Sequence, residues 1–343
     1  MQKKSPVLVT AGAGYIGSHV ALALLDAGWP VVVLDDLSTG FETLVPSQAT
    51  FVRGDVGDRQ LVGHMFRDHG IEAIVHLAGS IVVSESVAHP LRYYENNTAR
   101  SCALIEAAVE SGMAHFLFSS TAAVYGSPER VPISETDPTS PINPYGQSKL
   151  MIETMLADAA KAHGFNYCAL RYFNVAGADP QGRSGQLTDS ATHLIKIAAE
   201  AAVGRRAHVE IYGEDYPTPD GTAVRDYIHV ADLAAAHVRA LEKLVADPGT
   251  SRVLNCGYGR GYSVREVLDS VDRVAGRPVA RRPGPRRAGD PPILVADNRR
   301  ILAELGWTPR FDDLDGIVAD ALAWERRQLP GAAAAAVPLT MTR

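Results

Sequence analysis

The 343-residue chain is 46% hydrophobic and 21% charged, with a formal net charge of −6. This is the make-up of an ordinary globular protein able to bury a sizeable core. The negative balance argues against a general nucleic-acid or membrane-surface binder, which needs positive charge to displace counterions, and points to a small-molecule partner. Cys102, Cys168 and Cys256 are too few and too scattered for a disulfide framework or a C-x-x-C metal site, so reduced thiols, a cytoplasmic setting and no bound metal are expected.

Lys3 and Lys4 precede an apolar stretch and imitate a secretory leader. Gly12, Gly14 and Gly17 break that stretch and His19 and Asp26 interrupt it, which favours a strand, a turn and a helix. Residues 7–10 form a short apolar run, 15–27 have helical spacing that stops at Gly28, and 31–34 form a second apolar run. Further runs at 50–53, 73–76, 116–119 and 167–171 are separated by helix-length segments. Continuous apolar strands alternating with helices predict a parallel sheet covered on both faces, a doubly wound α/β fold of Rossmann type.

The regularity fades after residue 177, where 182–219 mixes one helical stretch, 192–203, with turn-rich sequence and opens a smaller mixed α/β region. Residues 224–229 and 253–255 read as strands that cross back to the first sheet. The expected division is a first domain at 5–178 that also receives about 224–258, and a second at 179–223 and 259–328. The alanine-rich end, 329–343, lacks apolar periodicity and reads as a frayed tail.

The turn at 10–17 reads TAGAGYIG, placing Gly12, Gly14 and Gly17 as G-x-G-x-x-G between a strand and a helix. Glycines there let the backbone approach a diphosphate, which sits on the free amides and positive dipole end of the helix. Asp35 ends the next strand, where it can accept hydrogen bonds from both ribose hydroxyls and repel a 2′-phosphate. No arginine follows in 36–39, so NAD is favoured over NADP. The first domain is therefore read as NAD-binding.

Tyr145 and Lys149 stand four apart behind Pro144, on one face of a helix. A phenol of pKa about 10 is a poor base near neutrality, but a neighbouring ammonium and an oxidised nicotinamide would favour its ionised form. Such a pair alone usually means nothing. The run at 118–121, ending in Thr121, gives it weight, because it closes a strand at the carboxyl edge where doubly wound sheets bind ligands.

With these motifs the chain resembles the extended short-chain dehydrogenase/reductase family, in its NAD-dependent epimerase/dehydratase branch. The resemblance runs to about Trp324, through VTAGAGYIGSH, HLAG, YYENN, FSSTAAVYG, NPYGQSKL, LRYFNVAGADP, the long run at 211–234 and PRRAGD. It implies reversible inversion at C4 of a UDP-hexose, UDP-glucose or UDP-galactose, through a 4-keto intermediate, with tightly bound NAD restored in each turnover. It implies Thr121, Tyr145 and Lys149 as catalytic, with Lys149 holding the cofactor ribose and keeping Tyr145 acidic. Cofactor contacts fall by the same match on the glycine turn, Tyr15, Ile16, Asp35, Asp36, Leu37, Ser38, Thr39, Gly40, Asp55, Val56, Leu77, Ala78, Gly79, Asn97 and Phe173. The nucleotide sugar would meet Thr121, Asn174, His193, Leu194, Tyr212, Arg225, Arg287 and Asp290, so the second domain is the UDP-sugar domain. Of the basic loop Arg281, Arg282, Arg286 and Arg287, only Arg287 is given a role. The family also implies a homodimer, through helices at 97–110 and 149–162.

The chain departs from the family at four places. Ala11 replaces the first glycine of the turn, tolerable with a negative φ. Ile81 stands where a branch of the family has lysine, His193 where it has asparagine, and Leu294 where a bulky aromatic can close the sugar pocket. UDP-N-acetylglucosamine, UDP-xylose and UDP-glucuronate therefore stay open as substrates. A 4,6-dehydratase is disfavoured, since Ala122 and Ala123 follow Thr121 where an acid would be needed. A non-catalytic NAD sensor would have no need of the tyrosine and lysine pair.

Overall fold

The computed structural model describes residues 4–188, 191–287 and 289–329, so the expected tail lies, but for its first residue, outside them. In chain order the strands are β1 (Val7–Thr10), β2 (Val31–Asp35), β3 (Thr50–Arg53), β4 (Ala73–His76), β5 (His115–Thr121) and β6 (Asn166–Tyr172). There follow β7 (Asn174–Ala176), β8 (Val209–Tyr212), β9 (Val224–His229), β10 (Arg252–Cys256), β11 (Gly261–Ser263), β12 (Arg281–Gly284) and β13 (Ile293–Leu294).

Seven of these form the parallel sheet that the apolar runs predict, in the order β10-β6-β5-β4-β1-β2-β3. Its two faces are separate cores, because successive side chains of a strand point to opposite sides. Val7 and Val9 pack with the helices Tyr15–Asp26 and Val230–Ala246 on one face. Leu8 packs with Arg59–His69, Arg100–Glu110 and Pro144–His163 on the other. Each fully buried aliphatic side chain of these layers contributes about 1.5–3 kcal/mol, which is why an all-apolar strand is stable only in the middle of such a sandwich. The strand order reverses at β1, which lies between β2 and β4, and ligands of such sheets settle above that point.

The expectation that both 224–229 and 253–255 return to this sheet is half met. β10 pairs with β6, but β9 joins a smaller sheet with β7, β11 and β13. An apolar run signals burial without naming its partner. A third core lies under the helices Leu194–Ala202, Val264–Ala275 and Leu314–Arg327. The first of these starts later than the spacing suggests, since His193 is its N-cap. Among the described residues no helix is long and apolar enough to cross a membrane, and no cluster of His, Cys, Asp or Glu could hold a metal.

Candidate active site

The turn after β1 has no room for side chains. A Cβ on Gly12 would stand 2.7 Å from the Val33 side chain, and one on Gly17 2.0 Å from the Ala11 carbonyl oxygen. The helix that follows is capped at its N-terminus by Gly14 with no side-chain cap, so its first amides and dipole end are left for an anion. This donor set fits a dinucleotide diphosphate. The negative φ expected of Ala11 is not found. Ala11 has φ 53°, because its amide must donate to Leu34 O at 2.8 Å while its carbonyl turns back to accept Gly14 N at 3.1 Å. The left-handed conformation costs an alanine roughly 1–2 kcal/mol.

Asp35, 7% exposed, is fixed by two amides: Ala13 N–H donates to Oδ2 at 2.9 Å and Leu37 N–H to Oδ1 at 2.8 Å. Leu37 reaches it at φ 61°, and a Cβ on Gly40 would meet the carboxylate at 2.9 Å, so the 35–40 run folds around this one group. Burial raises the Asp35 carboxyl while these amides hold it down. Its remaining lone pairs suit a ribose diol. Across the sheet, Thr10 Oγ1 accepts the Leu77 and Ala78 amides at 3.0 and 3.1 Å, so its proton goes to His76 Nδ1, 2.9 Å away. The His76 imidazole, pushed down to about 3 by burial, is neutral and carries its hydrogen on Nε2, facing Ser101 Oγ at 2.8 Å.

Asn97 is fully buried on a π-helical segment, Tyr94–Ala99, that the sequence periodicity does not reveal. Its Oδ1 accepts Ser80 N–H at 2.7 Å and its Nδ2 donates to Ser80 O and Ser148 Oγ, both at 3.0 Å. It thereby ties the 77–80 turn to the helix that carries Tyr145. Asp55 pairs with Arg100 at 2.7 Å beside the buried Val56.

That helix, Pro144–His163, begins with Asn143 Oδ1 accepting Gly146 N–H at 2.9 Å and proline at its first position. Tyr145 is brought beside Thr121, the last residue of β5, and Lys149 against Ser119, two residues earlier on the same strand. Lys149, 2% exposed, donates to Ser119 O at 3.1 Å and lies 5.0 Å from the Phe118 ring centroid; burial lowers its ammonium to about 8. Burial pushes the Tyr145 phenol up and the Thr121 side chain opposes it, while the Lys149 ammonium is turned to the Ser119 carbonyl.

Phe173 and Asn174 follow Tyr172, which is paired with Thr121 across the sheet, and so carry the chain from this group into β7. On the smaller sheets, Arg225 of β9 lies beside Leu294 of β13, and Arg225 Nη1 donates to Val224 O at 2.9 Å and Pro292 O at 3.3 Å. Arg287 is stacked on Tyr212 at the end of β8, its guanidinium carbon 3.9 Å from the ring centroid. Burial, with a further contribution from Arg287, lowers the His193 imidazole, whose Nδ1 is 3.1 Å from Gln186 Nε2, and Leu194 is the first residue of the helix that His193 caps. Arg225 and Asp290 both act on the Tyr216 and Tyr227 phenols, so these two charges share one neighbourhood.

A family model described as the NAD dependent epimerase/dehydratase family matches residues 7–257. The chain belongs to that family. The UDP-glucose 4-epimerase of Azospirillum brasilense is 58% identical to it over 93% of this chain and 92% of its own. The crystal structure of UDP-glucose 4-epimerase from Brucella ovis in complex with NAD has a TM-score of 0.90 at 46% identity, covering 93% of this chain and 98% of that one. The UDP-Glc/GlcNAc 4-epimerase from the human pathogen Campylobacter jejuni has a TM-score of 0.82 at 45% identity, covering 94% and 99%. The family and fold read from the motifs are thus borne out.

In this member of the NAD dependent epimerase/dehydratase family, sequence reasoning passes over several residues that shape the site. Asp226, next to Arg225, accepts the amides of Tyr258 and Gly259 at 2.9 Å and of Ala296 at 3.2 Å, holding β9 against the β13 end; burial raises its carboxyl to about 6. Thr10, Asn255, Glu153 and Arg171 are equally unannounced. An arginine inside an otherwise apolar strand, as in LRYFN, is the one signal that could have found a member of this group.

Proposed function

We propose that the protein interconverts UDP-glucose and UDP-galactose by inverting C4 with bound NAD. The observation that carries this reading is the meeting of Thr121, Tyr145 and Lys149 at the carboxyl end of β5, on a chain matched along nearly all its length by named UDP-glucose 4-epimerases. The 12–17 turn, Tyr15, Ile16 and the run from Asp35 to Gly40 hold the dinucleotide. Bound NAD supplies a hydride acceptor for C4 and a positive ring that offsets the raised phenol, so the substrate passes through a 4-keto sugar.

Tyr145 takes the proton of the 4-hydroxyl and later returns it, with Thr121 fixing the phenol and sharing the hydrogen bond. The Lys149 ammonium adds positive charge behind it. Arg225 and Arg287, fork-shaped donors, hold the diphosphate, while His193, Leu194, Tyr212, Asn174 and Asp290 frame the nucleotide. Anchoring at the diphosphate leaves the sugar free to turn and offer the other face of its ketone. Leu294, half-buried beside Arg225, supports a wider sugar pocket and acceptance of N-acetylated sugars as a second activity.

A homodimer belongs to the same reading, built from the helices at 97–110 and 149–162, where Met151 is exposed. Cytoplasmic action is supported by three free cysteines. The test is incubation of the purified protein with UDP-galactose and no added NAD. UDP-glucose forms if the reading holds; no interconversion, with or without added NAD, overturns it.

A further inference from the structure

Three consecutive residues at the end of β5 each hold one residue of the Pro144–His163 helix, and those helix residues are spaced four apart. Ser119 O accepts from Lys149, the Thr121 side chain acts on the Tyr145 phenol, and the Ser120 hydroxyl donates to Glu153. The third pair lies outside the catalytic set. Glu153 is 5% exposed and takes Arg171 of β6 on both oxygens: Nε at 3.0 and 3.3 Å, Nη2 at 2.6 Å.

Arg171 stands beside Ser120 in the register of β5 and beside Asn255 in that of β10. Its Nη1 donates to the Tyr125 hydroxyl at 2.9 Å, and that hydroxyl donates to Asn255 Oδ1 at 2.6 Å. Tyr125 closes the turn that Thr121 begins. A buried polar chain therefore starts on the catalytic helix, crosses three strands and returns to the segment just after Thr121.

A buried ion pair is weak evidence for stability, because desolvation offsets the attraction. A fully satisfied one is a strong constraint on geometry. Here the constrained distance is the one between the strand end that carries Thr121 and the helix that carries Tyr145.

We infer that Glu153 is a positioning residue for the reaction, with Ser120 and Arg171 as its two holds on the sheet, setting the height of Tyr145 against Thr121. This rests on the catalytic reading of Thr121, Tyr145 and Lys149 proposed above. The test uses the full-length NAD-loaded enzyme and the variants Ser120→Ala, which keeps the ion pair and the fold, Glu153→Gln, and both together. Since a displacement of about 1 Å in a reacting geometry costs up to roughly 100-fold, kcat per mole of bound NAD should fall about tenfold in Ser120→Ala and further in Glu153→Gln. KM for UDP-galactose should stay within about twofold, and the double variant should equal Glu153→Gln, since the two residues act as one unit. The inference is overturned if kcat per bound NAD is unchanged, if KM moves in step with kcat, or if the two losses multiply. A Tyr145→Phe control separates the failures: full activity there removes the catalytic reading itself, whereas its inactivity beside normal Ser120→Ala and Glu153→Gln enzymes removes only the role of Glu153.

Discussion

The Arg287 guanidinium lies 3.9 Å over the Tyr212 ring, while the neighbouring Arg286 is committed to Asp215 at 2.7 Å and Arg281 to Asp269 and Asp272. Stacking leaves the edge donors of Arg287 available to a diphosphate. Lysine keeps the charge and loses both the stack and the fork. Arg287→Lys should raise KM for UDP-galactose about 10- to 100-fold, the range of a lost charged hydrogen bond, with kcat little changed. Steady-state kinetics decide; an unchanged KM removes Arg287 from the substrate.

Tyr145→Phe removes one buried hydroxyl and no packing. Turnover should fall by about 10²–10⁴ or more with the unfolding midpoint nearly unchanged. Thr121→Val keeps the shape of the side chain and removes the bond that lowers the phenol. The acid limb of its kcat profile should therefore move to higher pH.

Lys149 titrates near 8 in the fold, below the ordinary lysine value of about 10.4 in the unfolded chain. Below pH 8 both states are charged and the burial cost is fully present; between 8 and 10.4 the unfolded chain binds the extra proton, so stability rises with pH. Lys149→Met should stabilise the fold by about 1–3 kcal/mol at pH 7, lose that gain above pH 10.4, and lower kcat about 100-fold. Wild-type kcat should decline on the alkaline side near pH 8, where the ammonium is lost. Unfolding curves at pH 7 and 10.5 and a pH profile check both.

Ala11→Gly should stabilise the protein by about 1 kcal/mol, since glycine accepts the φ of 53° without strain. NAD content should be retained. A fall in the unfolding midpoint would show that the alanine methyl contributes more packing than the backbone loses.

Leu294→Tyr should suppress turnover of UDP-N-acetylglucosamine far more than that of UDP-galactose, because an added ring fills space beside the sugar. Equal loss of both would place Leu294 outside the pocket.

The parallel sheet was legible because a strand buried on both faces has no polar alternation, as in β1, β2 and β4, which are buried along their whole length, whereas the edge strand β3 is not. Asp35 and the Tyr145–Lys149 pair were legible because their spacing from a turn or a helix start is set by the backbone alone. What stayed hidden depends on tertiary partners. The pairing of Val224–His229 with β7, β11 and β13 is not encoded in its own apolarity. The positive φ of Ala11 follows from bonds to Leu34 and Gly14, and the π-helical register at Asn97 from its grip on Ser80. Glu153 is set apart from other polar helix positions only by its burial against Arg171 of β6, a partner 18 residues on.

The seventh strand of the main sheet, β10, comes from residues 252–256, long after the glycine cradle has been made. During synthesis the dinucleotide end of the molecule can form while β6 still has an open edge and Arg171 still lacks Asn255. An unpaired parallel strand edge is a template for aggregation. Until β10 has been made, the edge of β6 should therefore add to the aggregation risk of the nascent chain.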